Sequence, residues 1–136
     1  MTKKMTAVIE RYFHDLFGQG RVELVEQLLH PDYVNHSPGS PDQDTGRAGV
    51  RDVVLSLRQA FPDLRYDIDD LVVGADAVAT RTTMRGSHQG PFFGTPPTGN
   101  AIEVAQLTIE HFRDGRIVAH HRLTDMQTLF AQLRSR

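Results

Sequence analysis

The chain has 136 residues, enough for one domain burying roughly two-thirds of the surface its unfolded form exposes, and its 39% hydrophobic and 24% charged content excludes a disordered or fibrous class. It has no cysteine, so disulfides, thiolate metal sites and a cysteine nucleophile are excluded, and its formal net charge of −2, with a local basic excess only at Arg134 and Arg136, speaks against a nucleic-acid partner. No apolar run approaches the roughly 18 residues of a membrane span, and Arg11, His14 and Asp15 interrupt any signal-peptide core, so a soluble, cytoplasmic protein is expected.

Val8, Ile9, Tyr12, Phe13, Leu16 and Phe17 recur at three- and four-residue spacing and stop at Gly18 and Gly20, which predicts an amphipathic helix with a glycine terminator. A second helix is expected over 22–29, ahead of Pro31. Residues 37–46 are dense in turn formers and read as a loop. A third helix is expected over 48–60, with Val50, Val53, Val54, Leu57 and Phe61 on one side and Pro62 as terminator. The period then changes to two, predicting strands near 65–73, 77–85, 102–112 and 116–123, with Gly74-Ala75-Asp76 and Asp114-Gly115 as turns. A short helix over 126–133 closes the chain. Helices first and antiparallel strands afterwards define an α+β domain with helices over one face of a curved sheet.

Register of the last hairpin decides which side chains share a face. A two-residue Asp114-Gly115 loop would set Leu107 and Ile109 beside Arg122 and His120. A three-residue loop, Arg113-Asp114-Gly115 with Gly115 in a bulge, instead pairs Phe112 with Arg116 and His111 with Ile117, and keeps both strands consistent. One face then carries Leu107, Ile109, His111, Ile117, Ala119, His121 and Leu123. The other carries Gln106, Thr108, Glu110, Phe112, Val118, His120 and Arg122, with Thr108 opposite His120, Gln106 opposite Arg122 and Glu110 diagonal to His120. Such a polar face is either a solvated surface with cross-strand ion pairs or the wall of a pocket.

Several other groups carry a chemical and a structural reading side by side. His36 and His88 have glycine- and proline-rich neighbours that let a side chain approach a cavity mouth, or that simply need a loop-stabilising hydrogen bond. Thr124 and Gln127 have capping-box spacing, which makes Asp125 a first-turn residue of the last helix. The histidines show no pairing that would start a metal site, and Pro96-Pro97 removes donors that a phosphate cradle requires.

Phe17 to Gly20, His30-Pro31-Asp32-Tyr33-Val34-Asn35-His36, Phe61-Pro62-Asp63, Gly86-Ser87-His88-Gln89-Gly90, Pro97-Thr98-Gly99, Phe112 to Val118 and Leu129 to Leu133 together resemble the SnoaL-like polyketide cyclase family of the nuclear-transport-factor-two-like superfamily. The resemblance spans 1–136 as one domain. It implies a cone-shaped α+β fold, with N-terminal helices on a strongly curved antiparallel or mixed sheet. It also implies a pocket with Thr108, Glu110, His120 and Arg122 inside, and a homodimer through the convex face. Family cyclases close a polyketide ring by an intramolecular aldol reaction, using an aspartate of the final strand and neither metal nor cofactor. Here Arg122 takes that aspartate's place, and Thr108 takes the place of a histidine on the preceding strand. An arginine cannot remove a proton at neutral pH. The expected roles are therefore proton transfer by Glu110 and His120, an oxyanion or carboxylate contact from Arg122, and substrate contacts from His36, His88, Thr108, Phe17 and Phe112. The expected ligand is a small, largely apolar carbonyl compound, and the expected activity a lyase, isomerase or cyclase. A non-catalytic binding or dimer-scaffold protein and a hydrolase are the alternatives.

Overall fold

The computed structural model describes residues 2–135, so Arg136 of the basic tail lies outside the described residues. Helix α1 (Thr2–Arg11) runs without interruption into a π-helical segment, Tyr12–Phe17, whose Tyr12, Phe13, Leu16 and Phe17 all point inward. Arg58 closes this end: its guanidinium donates to the carbonyls of Gly18 and Pro62, both at 2.7 Å, supplying partners for carbonyls that a helix end leaves bare.

The helix expected over 22–29 is shorter than its pattern. A 3-10 turn at Val22–Leu24 and α2 (Val25–Leu28) lead straight into β1 (Leu29–Asn35), a strand absent from the sequence reading. β1 pairs in parallel with a strand from the far end of the chain, so no local pattern announces it. Pro31 is tolerated because β1 is an edge strand.

The loop 37–46 then feeds α3 (Arg47–Ala60). At Gly49 a Cβ would lie 1.8 Å from the Asp44 carbonyl oxygen, so only glycine lets the helix start against that loop. Four long strands follow, β2 (Arg65–Val73), β3 (Ala77–Ser87), β4 (Ala101–Arg113) and β5 (Arg116–Thr124), and α4 (Met126–Arg134) ends the chain. The sheet order is β1-β5-β4-β3-β2, antiparallel except for the β1–β5 pair. The fold is α+β, with the helices on one face. Ile9, Phe13, Leu16, Val54, Phe61, Leu64, Val104, Ile117 and Leu129 form the core between the layers. Each such buried side chain contributes about 1.5–3 kcal/mol.

The β4–β5 hairpin corrects the expected register. Its turn is the two-residue one: Arg113 pairs with Arg116, and Asp114 and Gly115 both have positive φ, 53° and 79°, as a type I′ turn requires. Register shifts between His111 and Phe112, where Ile117 and Ala119 are the partners and Val118 is the extra residue of a bulge. Beyond the bulge Glu110 faces His120 directly, Thr108 faces Arg122 and Gln106 faces Thr124. The expected grouping of Glu110, His120 and Arg122 survives, through a bulge rather than a longer loop. The same bulge carries Ile117 into the core, against the expectation that it shared a face with Leu107. A bulge in β2, between Ile68 and Asp70, adds to the sheet's curvature.

At the start of α4 the cap also differs by one residue. Asp125 is itself the N-cap, its Oδ1 accepting from the Thr128 N–H at 3.1 Å and its Oδ2 from the Thr128 hydroxyl at 2.6 Å. These bonds hold its carboxyl below the usual carboxylate range, which fits a structural role.

Candidate functional site

β4 alternates buried and exposed along its whole length, so Gln106, Thr108, Glu110 and Phe112 all face the helices. The inner face is apolar at its rim, with Ile102 and Val104, and polar in its middle. Glu110 is 0% exposed and His120 3%. A carboxylate so placed needs its lone pairs occupied. Thr108 Oγ1 donates to Glu110 Oε1 at 2.8 Å, and His120 Nδ1 bonds Glu110 Oε2.

The relay continues to Arg122. Its Nη1 approaches His120 Nε2 at 3.2 Å, while Nη2 donates to the Ser37 carbonyl at 2.6 Å. A guanidinium has only donors, so Nε2 must accept and the imidazole proton must sit on Nδ1, toward Glu110. Ser37 Oγ accepts from the Arg122 N–H at 2.8 Å. The parallel β1–β5 pairing explains that contact, because it sets Asn35 beside His120 and delivers Ser37 to Arg122.

A cavity of about 930 Å³ opens beside this relay. Its inner wall includes Tyr12, Phe17, Tyr66, Gln106, His120 and Arg122, and its mouth lies between the 37–46 loop and the loop carrying Phe92 and Phe93. Asp42, Asp44 and Asp52 also line it and are exposed, so carboxylates and the Arg122 guanidinium share one cavity. Burial keeps the Tyr12 hydroxyl protonated far above its ordinary range, an effect strengthened by Tyr33 and Glu110, and burial does the same at Tyr66. Tyr33 is also raised, first by burial and then by Glu110. The buried hydroxyls of Tyr33, Thr80 and Thr82 have no hydrogen-bond partner among the described residues.

Of the expected site residues, the fold gathers Thr108, Glu110, His120 and Arg122 into one chain of hydrogen bonds. Of these four, only His120 and Arg122 reach the cavity wall. Phe17 lines it as well, whereas Phe112 is buried on the same strand face two residues beyond Glu110. Thr108 and Glu110 stand behind His120, out of solvent contact or nearly so.

The two loop histidines lie apart from the cavity. His36 is exposed and its ring stacks on His121, with centroids 4.7 Å apart. His88 is fully buried, its Nδ1 accepting from the Thr98 N–H at 3.2 Å and contacting Thr98 Oγ1 at 3.0 Å, so it ties the base of the 88–100 loop. Tyr12, Asn35, Ser37 and Tyr66 escaped the sequence reading as site residues. Tyr12 and Tyr66 occupy apolar-periodic positions, and their hydroxyls are the one signal that sets them apart. Among the described residues no cluster of three or more histidine, aspartate or glutamate side chains converges as a metal site. Nor is any helix among them long and apolar enough to cross a membrane.

The sequence profile of the SnoaL-like polyketide cyclase family matches residues 7–133. The chain belongs to that family. It is 27% identical over 136 residues to the aklanonic acid methyl ester cyclase AcmA of Streptomyces galilaeus, covering 98% of this chain and 92% of that protein. It is also 27% identical over 118 residues to the nogalonic acid methyl ester cyclase of Streptomyces nogalater, covering 86% and 88% of the two chains. Among solved structures, TsrD from Streptomyces laurentii superposes with a TM-score of 0.89 at 26% identity, covering 98% of this chain and 97% of that one. IdmH from Streptomyces antibioticus gives 0.83 at 35% identity, covering 96% and 99%.

Proposed function

We propose that the cavity binds a largely apolar carbonyl compound and that the relay acts on it by cofactor-independent acid/base chemistry, closing a ring by aldol addition or moving a double bond. The observation that carries this reading is the hydrogen-bonded chain Thr108–Glu110–His120–Arg122, buried at one end and ending on the cavity wall at the other. The names of the two curated relatives, both cyclases of methyl esters, support ring closure as the reaction.

The chemistry follows from the atoms available. A ligand carbonyl oxygen draws Arg122 Nη1 away from His120 and frees the Nε2 lone pair. Nε2 then removes the proton α to that carbonyl. Arg122 holds the enolate oxygen, and the Glu110 carboxylate, accepting from Nδ1–H, stabilises the imidazolium. In ring closure the enolate carbon bonds a second carbonyl carbon, whose oxygen takes the proton back from Nε2. In isomerisation the proton returns to another carbon of the conjugated system. His120 is thus the catalytic base, Glu110 its positioning residue and Arg122 the oxyanion contact. The same reading has two copies paired through the convex face in the cytoplasm, supported by exposed Val72, Leu107, Ile109 and Leu123.

A second reading, binding without turnover, is favoured by one observation: Nε2 and both terminal guanidinium nitrogens are already engaged within the protein. Turnover of polyketide and cyclic-ketone substrates by wild type, Glu110→Gln and Arg122→Ala separates the two. The catalytic reading expects losses of about 10²-fold for Glu110→Gln and about 10²–10³-fold for Arg122→Ala. Turnover that neither change affects would overturn it, and tight binding with no turnover would establish the second reading.

A further inference from the structure

The loop between β3 and β4 carries an aromatic residue where backbone geometry disfavours one. Phe92 and Thr95 exchange backbone hydrogen bonds at 3.0 and 2.9 Å, closing a two-residue turn whose central residues, Phe93 and Gly94, both have positive φ, 46° and 77°. Such a turn favours Asn-Gly or Asp-Gly. The chain's other turn of this kind follows the rule, with Asp114 and Gly115. For a bulky side chain the left-handed region is strained, and strain of this sort persists where the side chain is needed.

Packing does not account for Phe93, which remains 62% exposed. Its ring meets Phe92 edge-on, with centroids 4.7 Å apart, and sits 6.3 Å from Phe130. On the opposite side of the mouth, a Cβ at Gly39 would stand 4.0 Å from Phe93 Cζ, so the ring spans the entrance between the two loops. The turn is carried on a fixed base. Gly90 donates to the Ala60 carbonyl at 3.1 Å, and a Cβ there would lie 2.2 Å from the Gln59 carbonyl oxygen. Phe93 lines the same cavity as Arg122 and His120.

We infer that Phe93 is a ligand-contacting, specificity-determining residue, presenting its ring at the cavity mouth to the outer ring of a ligand whose oxygen end reaches Arg122. The inference rests on the cavity being the binding site, as proposed above. It predicts selection by length: a ligand of several fused rings touches Phe93, and a single ring held at Arg122 does not.

Two probes test this, anthraquinone-2-sulfonate, long and anionic at one end, and benzenesulfonate, its single-ring counterpart. Their dissociation constants are measured by calorimetry on the whole chain, benzenesulfonate by displacement where it is weak. Phe93→Asn is expected to weaken anthraquinone-2-sulfonate about tenfold or more, to leave benzenesulfonate within about twofold, and to keep the melting temperature at or above that of wild type, because asparagine suits the turn. Phe93→Tyr is expected to restore the longer probe. Equal weakening of both probes, no change for either, or a marked fall in melting temperature without rescue by tyrosine would overturn the inference. Weakening by Arg122→Ala but not by Phe93→Asn would overturn it while leaving the cavity reading intact. Absence of binding by either probe to wild type would remove both.

Discussion

Arg122 shows how one residue type redirects a site. It brings a fixed positive charge and donors only, and it stands on the cavity wall beside the His120 imidazole. Glu110 and His120 were legible as a candidate pair because they alternate inward on neighbouring strands, but their order was not. Only the tertiary fold puts the carboxylate behind the imidazole, with Thr108 holding its second oxygen. The tyrosines give a test at this scale. All 3 are buried and have hydroxyl pKa values raised above the ordinary 10.0, chiefly by burial. A proton held more tightly in the folded than in the unfolded chain contributes stability that is fully present below the unfolded pKa and is lost as pH rises through the folded one. Absorbance at 295 nm is therefore expected to stay flat past pH 10, with tyrosinate appearing together with alkaline unfolding. Stepwise titration of a tyrosine in protein that circular dichroism shows to be native would contradict this.

Among the elements, the β4–β5 hairpin controls the site. The alternation of β4 and the Asp-Gly turn are plain in the sequence, yet that pattern fits a lengthened loop as well as it fits the bulge the protein inserts at Val118. Both devices restore the same parity, so hydrophobic periodicity alone could not choose between them. Deleting Val118 removes the unpaired residue and leaves a regular hairpin in which Glu110 still faces His120 and Thr108 still faces Arg122, so a cooperative thermal transition seen by circular dichroism is expected to persist. Deleting exposed Pro97 from the 88–100 loop is expected to leave that transition in place. Loss of that transition on deleting Val118 alone would show that the bulge does more than keep the register. β1 failed to declare itself for a related reason. Its short, proline-containing segment acquires hydrogen bonds only from β5, and through that pairing it brings Asn35 and Ser37 to the site.

At the scale of the molecule, the sheet has two faces with different tasks. The inner face packs on the helices and ends in the cavity, while the outer face exposes Val72 at 64%, Leu107 at 55%, Ile109 at 45% and Leu123 at 77%. Cross-strand pairing joins them: Val72 and Ile109 both pair with Ala79, and Leu107 pairs with Leu123. Such a strip in water favours self-association. Wild type is expected to run as a dimer in light scattering at micromolar concentration, and Ile109→Asp with Leu123→Lys as a folded monomer. A monomeric wild type would remove the proposed pairing.

What the linear order of residues determined is the set of things local physics can set: helix α3 and its proline stop, four of the strands, the cap near Asp125, and the inward alternation of Thr108 and Glu110, since periodicity and turn chemistry act over a few neighbours. What only the tertiary structure decided is the relay itself. The parallel β1–β5 pairing, the bulge that aims His120 and the meeting of Phe93 with the Gly39 loop join residues far apart in the chain, and such contacts form only once non-local pairing and burial outweigh the entropy of bringing them together.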